Sequence, residues 1–123
     1  MTGRSPRTVL IVEHDELLKS LTAEIVEDAG FAVLQASDAD EAVAILAARP
    51  DIALLLTSIT MPRGMDGLSL AHLVAERWSA VKIVVASSQI RLAGPRLPKN
   101  CSFFLKPYDA RRMISEIRSL IGS

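Results

Sequence analysis

The sequence predicts an α/β fold, in which a single domain is built as a doubly wound sheet of five parallel strands with helices on both faces. Continuous apolar runs at residues 9–12, 52–56 and 83–86 are typical of strands that are buried on both sides of a parallel sheet. Segments with helical periodicity separate these runs, and this alternation implies right-handed crossovers. The length of 123 residues suits one domain with its own core.

The five strands are predicted from runs of apolar residues. They are expected near residues 8–13, 32–36, 52–57, 82–87 and 102–105. The second and fifth runs are weaker, and their length suits the flank of a sheet. Residues 1–7 are expected to form a short flexible leader, which leaves residues 8–123 for the domain.

The helices are predicted from apolar residues that recur with helical spacing. These are Leu17, Leu18, Leu21 and Ile25; Val43 and Leu46; Leu68, Ala71, Val74 and Trp78; and Met113, Ile114, Ile117, Leu120 and Ile121. Asp38 is expected to cap the second helix. Between the fourth and fifth strands, Gly94, Pro95 and Pro98 predict that the fourth helix of the fold is irregular or shortened.

The composition excludes several classes of function. Fourteen basic residues balance fourteen acidic ones, which argues against a dedicated nucleic-acid binder and against a polybasic membrane anchor. The apolar runs are too short to span a membrane. Cys101 has no second cysteine to pair with, which indicates a reducing compartment. We therefore expect a cytoplasmic location, with no nucleic acid and no membrane as partner.

The topology predicts where a site should lie. In a sheet of order 2-1-3-4-5, ligands bind at the carboxyl ends of the strands, where the strand order reverses between the first and third strands. Polar residues that leave the strands at this edge include Glu13, His14, Ser58, Ser87 and Lys106. The sequence therefore predicts one polar pocket.

Three motifs resemble one known family. They are Val-Leu-Ile-Val-Glu-His-Asp at 9–15, Met61-Pro62 followed by Met65-Asp66-Gly67, and Phe-Leu-Lys-Pro-Tyr at 104–108. Together they resemble the receiver domain of two-component response regulators, a CheY-like, flavodoxin-like fold, over about residues 8–121. The resemblance places Glu13 at the first of two acidic positions that hold Mg²⁺. It also places Ser87 at a conserved hydroxyl, Lys106 at a conserved lysine and Phe103 at the aromatic switch position.

Two positions depart from the pattern of that family. His14 stands where the second acid belongs, and Ser58 stands where the phosphoacceptor aspartate belongs. A serine hydroxyl is neutral and needs a base, whereas a carboxylate is already an anionic nucleophile. Histidine is a poor ligand for Mg²⁺. We therefore expect a divergent receiver with no catalytic residue, no cofactor and weak or absent Mg²⁺ binding, in which Lys106 and Glu13 satisfy each other's charge.

The function predicted from these residues is signalling by contact with other proteins. The chain is expected to be a stand-alone atypical receiver, independent of aspartyl phosphorylation and not an enzyme, with a histidine kinase, phosphotransfer protein or output protein as partner. The sequence leaves a homodimer open. One alternative is a module that responds to a small molecule, or to phosphorylation of Ser58 or His14. Another is a hydrolase built from Ser58, His14 and Glu13, against which the lack of a Gly-x-Ser-x-Gly elbow counts.

Overall fold

The computed structural model describes residues 6–61, 64–88 and 97–122. In these residues five strands form one parallel sheet, and the predicted order 2-1-3-4-5 is confirmed. The strands are β1 (Thr8–Val12), β2 (Ala32–Ala36), β3 (Ile52–Ser58), β4 (Lys82–Ser87) and β5 (Cys101–Leu105). The predicted boundaries agree with these to within one residue.

The described helices cover both faces of the sheet, as predicted. They are α1 (Glu16–Asp28), α2 (Ala39–Ala48), α3 (Gly67–Arg77) and α4 (Ala110–Ile121). Each begins after an aspartate whose carboxylate accepts hydrogen bonds from amides two or three residues further on, and these caps are Asp15, Asp38, Asp66 and Asp109. Most of the irregular helix predicted before β5 falls on residues 89–96, outside the described residues, as does most of the leader.

Alternate side chains of the central strands pack into two different hydrophobic clusters. Leu10 of β1 and Leu55 of β3 belong to the cluster that packs under α2 and α3. Ile11 and Leu54 belong to the cluster under α1 and α4. Each such fully buried side chain contributes about 1.5–3 kcal/mol to the free energy of folding. Burial on both faces explains why these strands read as continuous apolar runs.

The buried face of α1 differs from the apolar spacing that predicts this helix. Lys19, Thr22, Ala23 and Val26 are its buried residues. Leu17 and Leu21, in contrast, are 71% and 47% exposed. Burial of Lys19 is possible because its ammonium group donates to the Ser37 hydroxyl at 2.6 Å and to the Glu16 carboxylate at 3.0 Å.

Gly67 lets α3 begin directly against the end of β3. Its amide donates a 2.7 Å hydrogen bond to the carbonyl of Ile59. A Cβ atom on Gly67 would lie 1.8 Å from the carbonyl oxygen of Ser58. Because that neighbour is backbone, only glycine fits at this position. The Asp-Gly pair of the motif therefore combines a helix cap with a close backbone approach.

Candidate functional site

Three of the predicted site residues meet at the carboxyl edge of the sheet. The ammonium group of Lys106 lies 2.7 Å from Oε1 of Glu13 and 2.7 Å from Oγ of Ser58. The Ser58 hydroxyl donates to the same Oε1 atom through a short hydrogen bond. Glu13, Ser58 and Lys106 thus form a closed triangle of hydrogen bonds, which we call the Glu13–Ser58–Lys106 triangle.

The sheet itself positions this triangle. The amide of Glu13 donates to the carbonyl of Ala36, which extends the pairing of β1 with β2 by one residue. The amide of Lys106 likewise donates to the carbonyl of Ser87 and extends the pairing of β5 with β4. Ser58 is the last residue of β3 and lies opposite Ala86 of β4. The three side chains therefore project from the carboxyl ends of β1, β3 and β5, and the peptide bond that follows Lys106 is cis.

Opposite charges balance in this pocket. The side chain of Glu13 is 7% exposed and that of Lys106 is 20% exposed. Burial by itself would raise the pKa of the Glu13 carboxyl group. Hydrogen bonds from Lys106, from Ser58 and from the amide of Asp15 outweigh that effect and hold the pKa below its ordinary value. Glu13 is therefore a carboxylate at neutral pH, paired with a lysine.

His14 and Asp15 lie at the rim of the pocket. The imidazole of His14 is 45% exposed, and its Nδ1 atom lies 3.6 Å from Oε2 of Glu13. The carboxylate of Asp15 caps α1 by accepting a 2.9 Å hydrogen bond from the amide of Leu18. The two adjacent residues therefore differ in burial, since Glu13 is buried and His14 is exposed.

Ser87 and Phe103 differ in their surroundings. Ser87 is buried at the end of β4, next to Lys106. Phe103 is half-buried and packs against the cluster under α2 and α3. These positions agree with the predicted location of both residues, and their switch roles stay predictions.

Two further residues complete the pocket wall, and the sequence reasoning did not identify them. The hydroxyl groups of Thr22 and Tyr108 lie 2.6 Å apart and share a hydrogen bond. Burial raises the pKa of the Tyr108 phenol, and the nearby Glu13 carboxylate adds to that rise. The sequence signal that could have identified Tyr108 is its position directly after the Lys-Pro pair of the motif. Nothing in the sequence marks Thr22, which is 86 residues away.

The cavity enclosed by these residues is small. Its volume is about 10 Å³, and Glu13, Thr22, Ser58, Lys106 and Tyr108 are among the residues that line it. A volume of this size holds about one water molecule.

The donor set of the pocket does not fit Mg²⁺, the ion that the family resemblance implies. That ion requires near-octahedral coordination by hard oxygen ligands. Glu13 supplies one carboxylate, and its Oε1 atom already accepts hydrogen bonds from Lys106 and Ser58. Across residues 6–61, 64–88 and 97–122, no group of three or more His, Cys, Asp or Glu side chains could hold a metal ion.

The geometry also differs from that of a serine hydrolase. The Ser58 hydroxyl donates its proton to the Glu13 carboxylate and accepts from the Lys106 ammonium group. The Ser–His–Asp arrangement needs the imidazole to accept the serine proton. The side chain of His14 instead lies largely at the surface.

The family is shown by comparison with known proteins. The response regulator receiver domain model matches residues 9–118 of this chain. The chain belongs to this family. A curated relative is the transcriptional regulatory protein CseB of Streptomyces avermitilis, which is 31% identical over 117 residues, covering 92% of this chain and 48% of CseB. This receiver spans about half or less of the length of the curated relatives it matches.

Solved structures agree with the receiver fold. A response regulator receiver protein from Sinorhizobium medicae superimposes with a TM-score of 0.88 at 21% identity, over 96% of each chain. The CheX–CheY–BeF3–Mg²⁺ complex from Borrelia burgdorferi gives a TM-score of 0.81 at 26% identity, over 93% of this chain and 88% of the other. The chain is a receiver domain of two-component response regulators, modules that contact other signalling proteins. None of its described helices is long and apolar enough to cross a membrane.

Proposed function

We propose that this receiver signals by protein–protein contact without aspartyl phosphorylation, without a catalytic activity and with weak or absent Mg²⁺ binding. The observation that supports the proposal is the Glu13–Ser58–Lys106 triangle, in which a carboxylate, a hydroxyl and an ammonium group are hydrogen-bonded to one another. A carboxylate nucleophile is replaced by a neutral hydroxyl whose proton is held by Glu13. Because the Glu13 carboxylate is paired with the Lys106 ammonium group, the triangle has no net negative charge to attract a divalent cation.

Loading the pocket would also require the triangle to open. A phosphoryl group and its cation would have to enter a cavity of about 10 Å³ and separate Lys106 from Glu13. Opening it would break the ion pair between Lys106 and Glu13 and the hydrogen bonds that Ser58 makes with both. The pocket is therefore better suited to a fixed conformation than to a reversible switch.

The proposed partners are other two-component signalling proteins, a histidine kinase, phosphotransfer protein or output protein. The balanced charge of the chain argues against nucleic acid and against a membrane surface as partner. We place the protein in the cytoplasm, which its single cysteine supports. We also propose that the receiver acts alone. The mass of the native protein in its source cell tests that point, because a longer chain would be heavier than these 123 residues.

Titration with Mg²⁺ and beryllofluoride, a mimic of the phosphoryl group, tests the central proposal. We expect the wild-type chain to show no saturable change in its amide NMR spectrum. The double variant His14→Asp, Ser58→Asp should bind both, because it restores two carboxylates to the pocket. Ser88→Asp is the matched control, since it adds a carboxylate at an exposed position on the same sheet edge. Saturable binding of both reagents to the wild-type chain would contradict the proposal.

A further inference from the structure

The solvent side of α1 carries an unusual amount of exposed apolar surface. Leu17 and Leu21 are exposed, and Leu18 and Ile25 are half-buried beside them. Leu18, Leu21 and Ile25 border a groove of about 320 Å³, whose opposite wall includes Pro107 and Tyr108. Single exposed leucines are common on protein surfaces, whereas a contiguous apolar patch beside a groove marks a site of interaction.

Charged residues of opposite sign flank this patch on two neighbouring helices. Glu24 and Asp28 continue the exposed side of α1, and Arg111 and Arg118 lie on the exposed side of α4. Within the part of the chain that the structure describes, Glu24, Asp28 and Arg111 form no ion pair. Arg118 donates a 2.9 Å hydrogen bond to the carbonyl of Ala29, at the end of α1. One helix therefore presents acidic groups and its neighbour presents basic groups.

The two helices run side by side in the same direction. Thr22 of α1 meets Tyr108 just before α4, and Ala29 after α1 meets Arg118 in the last turn of α4. A second groove of about 520 Å³ lies between them, and Ile25 and Ile114 are among the residues that line it. Apolar and charged groups thus lie side by side along the groove between the two helices.

We propose that this α1–α4 face pairs with the same face of a second copy of the chain, about a twofold axis parallel to the two helices. Such an axis places α1 of each copy on α4 of the other. The acidic side of α1 then meets the basic side of α4 twice, and Leu17 and Leu21 of each copy meet the groove beside Pro107 and Tyr108 of the other. A partner of one charge would attract one helix and repel the other, whereas a second copy matches both.

This pairing rests on the proposed function in one respect: it specifies a second copy of the chain as the partner in the proposed protein contact. It lies on the helices and requires no phosphoryl group or Mg²⁺. Self-association should therefore be measured without either, by sedimentation equilibrium over a range of protein concentrations at low salt. In this way a failure of the pairing and a failure of the phosphorylation-independent mechanism give different results.

Leu21→Glu and Leu105→Glu form a matched pair of variants. Both leucines are 47% exposed, but Leu105 lies at the end of β5 and is not among the residues that line either groove. We expect Leu21→Glu to raise the dimer dissociation constant about tenfold or more, as for a residue at the centre of an interface. Leu105→Glu should leave it unchanged. Thermal unfolding of each variant verifies that the chain is folded. A monomeric wild-type chain, or dissociation by Leu105→Glu alone, would overturn the pairing.

Exchanging charges between the two helices tests the arrangement itself. Glu24→Arg and Arg111→Glu should each weaken self-association. A mixture of these two variants should regain it, because both α1–α4 contacts of the mixed dimer then join opposite charges. A mixture of Glu76→Arg and Lys82→Glu has the same net charges, exchanged at exposed positions elsewhere, and should gain nothing over the wild-type chain. If the first mixture associates no better than its separate components, the proposed axis is wrong.

Discussion

Lys106 and Glu13 lie 93 residues apart in the chain, and their charged atoms are 2.7 Å apart in the structure. The pair links the end of β5, at one edge of the sheet, to the end of β1 in its interior. Ser58 adds a hydrogen bond to each partner. The polar pocket of this receiver is therefore satisfied by its own side chains.

Glu13→Gln should destabilise the fold, because the amide leaves the Lys106 ammonium group without its counter-charge in a largely buried pocket. We expect the free energy of unfolding to fall by about 1–3 kcal/mol, as measured by urea denaturation. Asp51→Asn is the control. It removes the carboxylate from the exposed Arg49–Asp51 pair and should produce no measurable change. Equal effects of the two substitutions would contradict the structural role of Glu13.

Stability should decrease in acid through Glu13. The pKa of its carboxyl group is lower in the folded chain than its ordinary value of 4.5. Its contribution to stability is therefore fully present above pH 4.5, and it is lost as the pH falls through the lower pKa of the folded state. Unfolding measured across this range should show a smaller loss of stability in Glu13→Gln than in the wild-type chain. Parallel pH profiles would exclude Glu13 as the source.

Gly67→Ala should destabilise the junction of β3 and α3, because its methyl group would overlap the backbone of Ser58. Forcing an extra methyl group into a packed site costs about 1–3 kcal/mol, and this contact with backbone lies toward the upper end. Ser69→Ala, at an exposed position of the same helix, should change the unfolding midpoint little. A Gly67→Ala variant as stable as the wild-type chain would show that the close approach is absent.

Cys101 should react slowly with thiol reagents in the folded chain. Burial raises the pKa of its thiol to about 11, so that the reactive thiolate is rare at neutral pH. The rate of reaction with a disulfide reagent should increase severalfold or more after denaturation in urea. Rapid labelling under native conditions would show instead that Cys101 is an accessible thiolate.

Much of the fold follows from hydrophobic periodicity. The apolar runs of β1, β3 and β4 and the spacing of Met113 and Ile117 in α4 predicted the elements in which these residues are buried. The buried face of α1 could not be predicted in this way. Lys19 and Thr22 are buried because Ser37 and Tyr108 satisfy their polar atoms, and these partners are distant in sequence. Hydropathy contains no information about such partners.

The candidate site was predictable in its location and its charge balance. Strand order brought Glu13, Ser58 and Lys106 to one edge, and the count of charges indicated that Glu13 and Lys106 would pair. The hydrogen bond between Thr22 and Tyr108 was not predictable, because it depends on how α1 packs against the chain that follows β5. The roles of Ser87 and Phe103 stay predictions.

The Glu13–Ser58–Lys106 triangle joins residues separated by 45, 48 and 93 positions, so it can close only after most of the sheet has formed. Contacts of such high sequence separation are entropically costly to form early in folding. The pocket at the strand ends is therefore also a late-closing connection between the first and last strands of the chain. Its hydrogen bonds stabilise the completed fold and contribute little to the early steps of folding.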